Sequence, residues 1–182
     1  MICIITHVQH IKNKNHYYGY GPYIREMNIW LNHVDEVILV APLIEDELNP
    51  IYEKYNHSNL HFYQVQEFTI SSLSNIFKTL IRLPKVFFQV YKAMAQSDHI
   101  HLRCPGNIGL IGAIVQILFP NKQKTAKYAG NWDPKSKQPW SYRLQKWILS
   151  NTFLTKNMQV LVYGEWEGSS KNVKSFFTAT YS

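Results

Sequence analysis

The sequence predicts an α/β domain built on a doubly wound, mostly parallel sheet with helices on both faces. Three observations carry this. Ile2-Cys3-Ile4-Ile5 opens the chain as an apolar run without polar alternation, as expected of a parallel strand covered on both sides. Strand-like and helix-like stretches then alternate along the chain, the grammar of a parallel α/β sheet. The stretch from Asp98 to Asn131 shows that grammar most clearly: a short strand, a sharp turn, an apolar helix and a strand again. Such a unit closes as a right-handed crossover.

Each element has its own signal. After the first strand a loop is expected from His7 to Gly21. Pro22 suits a first helical turn, and Ile24, Met27, Ile29, Trp30 and Leu31 supply a helical apolar face. Residues 36–40 form the second strand, closed by Ala41-Pro42, and residues 60–65 the third. Ser71 or Ser72 would cap the next helix. There Leu73, Ile76, Phe77, Leu80, Phe87, Val90 and Met94 recur at helical spacing, and Pro84 would kink or divide it. The fourth strand, residues 99–102, is stopped by Arg103-Cys104-Pro105-Gly106-Asn107, because Pro105 lacks an amide donor and Gly106 favours a turn. Residues 108–119 are so uniformly apolar that their helix must be covered on most sides. Residues 124–128 form the next strand, broken by Gly130-Asn131-Trp132-Asp133-Pro134. A helix over 142–154 and strands over 159–163 and 175–180 complete the pattern. Loops that follow the carboxyl ends of parallel strands form the ligand crevice. Residues 103–107 and 130–133 are therefore expected to face one crevice.

Composition bounds the function. The 182 residues are 46% hydrophobic, which excludes a disordered chain and fits a single domain over 1–182. No apolar run approaches the ~20 residues that span a bilayer, and the chain opens directly as a strand, so no secretory signal is expected. Cys3 in a core strand and Cys104 in a loop make no disulfide framework. A cytoplasmic setting follows, with the inner membrane face as the place of any peripheral contact. Without a matched base, Cys104 reads as an incidental thiol.

The net charge is +7. Residues 1–121 carry nine Lys/Arg and nine Asp/Glu, and residues 122–182 carry ten and three. A basic surface attracts phosphates on nucleotide-linked substrates, anionic lipid or nucleic acid. Nucleic acid is disfavoured, since neither a helix-turn-helix nor an aromatic–basic motif is present. Lys78, Arg82, Lys85 and Lys92 gather opposite the apolar stripe of the 71–96 helix. A solvated face explains them more simply than membrane contact. Among eight histidines, His7 and His10 flank the first strand's exit, and His99 and His101 share one strand face. No HExxH or CxxC spacing accompanies them, so no metal is expected.

The segment Tyr17-Tyr18-Gly19-Tyr20-Gly21-Pro22 occupies the position of a dinucleotide fingerprint, but G-x-G-x-x-G is absent. NAD or FAD is thereby disfavoured and no cofactor is expected. Two roles stay open: backbone amides approaching a phosphate at the helix start, and an ordinary loop that needs glycine for its dihedrals.

The chain resembles the N-terminal, Rossmann-like domain of family-4 glycosyltransferases, which have the two-domain GT-B fold. The resemblance rests on the first strand with its Gly19/Gly21 loop, on residues 36–42, on Asp98-His99-Ile100-His101-Leu102-Arg103, on Gly130-Asn131-Trp132, and on Val162-Tyr163-Gly164-Glu165-Trp166 with 175–182. It implies that this half binds a glycan or lipid-linked acceptor. A second domain, absent from the 182 residues, would bind the nucleotide-sugar donor, so the chain alone is expected to be inactive. Gly19 and Gly21 match the loop that approaches the donor phosphates. Arg103, Asn107, Asn131 and Trp132 match acceptor-side positions. Trp132 is expected to stack on a sugar ring from an open pocket shared with Arg103 and Asn131, with Gly19 and Gly21 on its rim. Arg103 stands where family members often carry a histidine. It is suited to a phosphate or sugar hydroxyl, or to a structural ion pair. No catalytic residue follows from the resemblance. The alternative reading is a non-catalytic α/β module that recruits a partner enzyme at an anionic membrane.

Overall fold

Seven parallel strands form the frame of the molecule. The computed structural model describes residues 1–66 and 73–176, with side chains left out over 73–82. In chain order the elements are β1 (Ile2–Ile5), β2 (His10–Asn13), β3 (His16–Tyr20), α1 (Gly21–Leu31), β4 (Val37–Ile44), β5 (Tyr52–Lys54) and β6 (Leu60–Val65). There follow α2 (Leu73–Gln96), β7 (His99–Cys104), α3 (Asn107–Val115) with a short 3-10 turn (Gln116–Leu118), β8 (Gln123–Tyr128), α4 (Trp140–Ser150), β9 (Met158–Val162) and β10 (Val173–Ser175). The parallel strands lie in the order β6-β4-β1-β7-β8-β9-β10. The chain winds one way from β1 to β6, then restarts beside β1 and winds the other way. This is a Rossmann-like, doubly wound α/β sheet, and its strand order reverses between β1 and β7.

Alternation along β1 divides the core in two. Ile2 and Ile4 join Tyr23, Ile24, Met27 and Leu31 of α1. Cys3 and Ile5 join Val90 and Met94 of α2, Ile108 of α3 and Leu149 of α4. One face thus carries α1 and the other the layer α2, α3 and α4. Helix α3 is buried at seven positions, among them Ile108, Ile111 and Val115, as its apolar circumference requires.

Four departures from the expected elements have physical causes. Residues 7–21 are not a plain loop: β2 and β3 pair as an antiparallel hairpin, turning at Lys14, whose φ is 53°. β2 also adds in parallel to the end of β4 and β3 pairs with β5, a use suited to the β-prone tyrosines of this segment. Strand β4 does not stop at Pro42. The Thr6 amide reaches the Val40 carbonyl, so Pro42, two residues on, turns its missing donor toward a β1 that has already ended. A proline is tolerated there. Strand β7 runs through Cys104, because only Pro105 lacks an amide. Arg103 therefore sits in the ladder opposite Lys127, not in a loop. Finally, Pro84 does not divide α2, which continues through it as one helix. The expected Ser71/Ser72 cap, the Lys78 and Arg82 side chains, and residues 177–180 of the last expected strand lie outside the described residues.

Part of the basic excess is internal. Lys122 Nζ donates to the carbonyls of Met94, Ala95 and Ser97 at 2.6, 2.8 and 2.5 Å, closing the carboxyl end of α2. Lys124 Nζ reaches Phe119 O at 2.8 Å, and burial lowers its ammonium to about 8. Lys146 Nζ binds the carbonyls of Trp132 and Asp133 at 2.7 and 2.9 Å. With Lys127, four of the ten cations after Asn121 point inward.

Candidate functional site

The reversal of strand order makes the carboxyl ends of β1 and β7 the natural ligand crevice. Thr6 and His7 leave β1 there, and the Cys104-Pro105 cis bond leads β7 into Gly106 and the start of α3. The two exits touch. A Cβ on Gly106 would lie 2.8 Å from the His7 ring, so only glycine fits. The Gly106 amide donates to Gln145 Oε1 at 3.3 Å, which ties α4 to this turn. Asn107 is the first residue of α3 and partly exposed.

On the α1 face, Glu26 meets two cations. Lys127 Nζ is 2.6 Å from its Oε1 and Arg103 Nη1 is 3.7 Å from its Oε2. The Lys127 side chain is 1% exposed and those of Glu26 and Arg103 about 15%. Phe176 lies over the Lys127 ammonium at 4.3 Å, and the Arg103 guanidinium faces the Tyr23 ring at 5.4 Å. Two cations share one carboxylate, leaving the cluster with a net positive charge. Arg103 Nη1 is buried without a hydrogen-bond acceptor, so what the residue can offer an anion or a hydroxyl is its charge and the small part of its side chain, 14%, that stays exposed. Burial raises the Tyr23 phenol, against the pull of Thr6, Tyr55 and Arg103.

Below it, His101 Nδ1 and His99 Nε2 lie 2.8 and 3.0 Å from Thr125 Oγ1. Burial, reinforced by Arg103, His99 and Lys127, lowers His101 to about 3. It is a neutral structural imidazole, packed 4.7 Å from Trp30. Cys104 is fully buried, and burial pushes its thiol up to about 12, which removes it as a nucleophile. Among the described residues, no group of three His, Cys, Asp or Glu is gathered to hold a metal.

The expected pocket of Arg103, Asn131 and Trp132 does not form. Trp132 is 4% exposed and belongs to the core on the α2–α4 side. Its ring meets Tyr128 edge-on at 5.0 Å, with the Lys146 ammonium 5.5 Å away. It has no free face for a sugar. Arg103 lies on the opposite, α1 side. Asn131 is exposed, and its Oδ1 accepts the Asp133 amide at 2.8 Å. The loops after β7 and β8 do meet, as expected: a Cβ on Gly130 would lie 3.0 Å from the Pro105 ring. That contact is closed packing.

Among the described residues, Gly19 and Gly21 are engaged in packing and strand pairing. Gly19 is paired within the hairpin, and a Cβ there would touch Ile24 at 3.0 Å. The Gly21 amide is spent on Ile51 O at 2.8 Å, and its Cβ position lies 2.6 Å from the same carbonyl. Both glycines are needed for packing beside β5. Two grooves do open, but at the amino edge of the sheet. One, about 730 Å³, is bounded by Gln123, Thr155 and Asn157, and the other, about 460 Å³, by Trp30, His33 and Asp98. Neither contains Arg103, Asn107 or Asn131. We favour the carboxyl edge, because helix starts and strand exits converge there.

Glu26, Lys127 and Tyr23 escaped the sequence reading, whereas His7 stands at the exit of the first strand, as expected. The signal for Glu26 was a lone carboxylate beside the apolar stripe Tyr23, Met27 and Trp30, and for Lys127 a cation inside the strand Thr125-Ala126-Lys127-Tyr128. Comparison with known protein families, curated proteins and solved structures finds no match.

Proposed function

We propose that this chain is the acceptor-binding half of a glycosyltransferase of the GT-B type. It holds a glycan or lipid-linked acceptor at the carboxyl edge between β1 and β7, and a separate domain supplies the nucleotide-sugar donor. The observation that supports the reading is the reversal of strand order at β1/β7, with the start of α3 on one side of that edge and the Arg103 cation on the other. Arg103 and the first turn of α3 offer donors to sugar hydroxyls or to a phosphate. Asn107 and Asn131 flank that edge, whereas Trp132, Gly19 and Gly21 contribute through packing alone. No general base is assigned.

Two measurements test this. Saturation-transfer NMR with a panel of oligosaccharides is expected to detect binding, and Arg103→Ala to weaken it about tenfold, the value of one charged hydrogen bond. Turnover with a panel of nucleotide sugars is expected to be absent for the 182-residue chain alone. Absence of any glycan binding, or robust sugar transfer by the isolated chain, would overturn the reading.

A further inference from the structure

The outer surface of the α2–α3–α4 layer has an unusual composition. Not one Asp or Glu occurs in these three helices. Carboxylates lie elsewhere: Asp98 at the amino edge, paired with the chain's own terminal ammonium at 2.9 Å, Glu53 beside Arg25 on the α1 side, and Glu45 to Glu47 beyond β4.

Where a solvated helix would place charged residues, this layer exposes large apolar ones. Phe88 is 65% exposed and Trp140 and Trp147 about 60%. Two stripes share one spacing. Lys85, Phe88 and Lys92 are exposed at i, i+3 and i+7 of α2, and Trp140, Arg143 and Trp147 at i, i+3 and i+7 of α4. This spacing puts each trio on one outward line, opposite the inward-facing Val86, Val90 and Ile148. Helix α3 packs between them and adds Ile114, with Leu118 just after it, both exposed. An apolar patch threaded by cations alone is costly to leave in water.

We propose that this face docks on an anionic lipid bilayer. Tryptophan rings favour the headgroup boundary. Lysine and arginine lay their stems along the apolar surface and extend their charges to lipid phosphates. The Lys156 ammonium already lies 5.4 Å over the Phe153 ring at the end of α4. Among the described residues no helix is long and apolar enough to cross a membrane, so the contact is peripheral. Helices without carboxylates, bordered by Asp133 beside Lys146, match the negative charge of such a leaflet. The docking face is the outside of the helical layer, rather than the whole basic segment after Asn121, four of whose cations point inward.

Flotation with phosphatidylcholine vesicles, with and without phosphatidylglycerol, measures the bound fraction. Binding is expected to rise about tenfold with phosphatidylglycerol and to fall when salt shortens the screening length below about 10 Å. Lys92→Glu/Arg143→Glu should lose that gain, and Phe88→Ser/Trp147→Ser should lose binding to both vesicles. All four positions are exposed, and unchanged thermal melting confirms that the variants fold. Equal binding to neutral and anionic vesicles, no binding to either, or wild-type binding by both variants would overturn the proposal. So would a dimer in sedimentation that Phe88→Ser/Trp147→Ser dissociates, which would give the face to a second copy of the chain.

Discussion

Lys127 carries an ammonium whose side chain is 1% exposed, and its charge is tolerable only because Glu26 stands 2.6 Å away. Removing one partner of a buried ion pair leaves an uncompensated charge, whereas replacing a charge by an apolar group of similar size is often mild. Glu26→Gln strands two cations and is expected to cost about 3–5 kcal/mol. Lys127→Met leaves Glu26 with Arg103 and is expected to cost far less. Urea titration of both variants measures this, and equal losses would contradict it. The same residues show why the site was only partly legible. Arg103 could be read as a cation near a strand end. Its partner Glu26 and neighbour Lys127 are 101 residues apart from each other in the chain, and only folding brings them together. Trp132 misled for a related reason. Gly130 and Pro134 mark a loop, but local signals do not register that Tyr128 and Lys146 enclose its ring.

At the scale of elements, the lysine that closes α2 is the clearest device. The last carbonyls of a helix lack intrahelical donors, and Lys122 Nζ satisfies three carbonyls there at once. A cation at this end also complements the helix dipole. Lys122→Met keeps the stem and removes the donors, and is expected to cost about 1–2 kcal/mol. Hydrogen exchange should quicken first at the amides of Met94 to Ser97; uniform quickening across the domain would refute the capping role. The main helices and the parallel strands were legible because their apolar period is long and local. The β2–β3 hairpin was not, because its pairing depends on β4 and β5. Pro42 and Pro105 were overread as stops. A proline removes one donor, and the ladder fails only where a neighbour needs it.

Across the whole molecule, the α1 side holds two buried neutral imidazoles that make the fold sensitive to acid. His10 stacks on Tyr55 at 5.6 Å, its Nε2 is 3.1 Å from the Tyr55 hydroxyl, and burial lowers it to about 4 against the opposing carbonyls of Val8 and Pro42. His101 is lowered to about 3. In the unfolded chain both titrate near the ordinary 6.5. Between pH 6.5 and about 4 the unfolded state therefore binds more protons than the folded one, so stability rises with pH through this window and falls on acidification. Each group contributes a slope of about 1.4 kcal/mol per pH unit there, so about 2 kcal/mol each is lost by pH 5. The exposed carboxylates act elsewhere. Asp98 is held below its ordinary 3.8 by the terminal ammonium, so its effect begins at still lower pH. Thermal melts are expected to show the midpoint dropping steadily from pH 7 to 5. His99 is lowered by burial as well and adds in the same direction, so His101→Gln, which removes one of these groups, should reduce that dependence without abolishing it. A midpoint that stays level across this window would mean that the two rings reach solvent and protonate without unfolding, and the closed packing of α1 against the sheet would then be wrong.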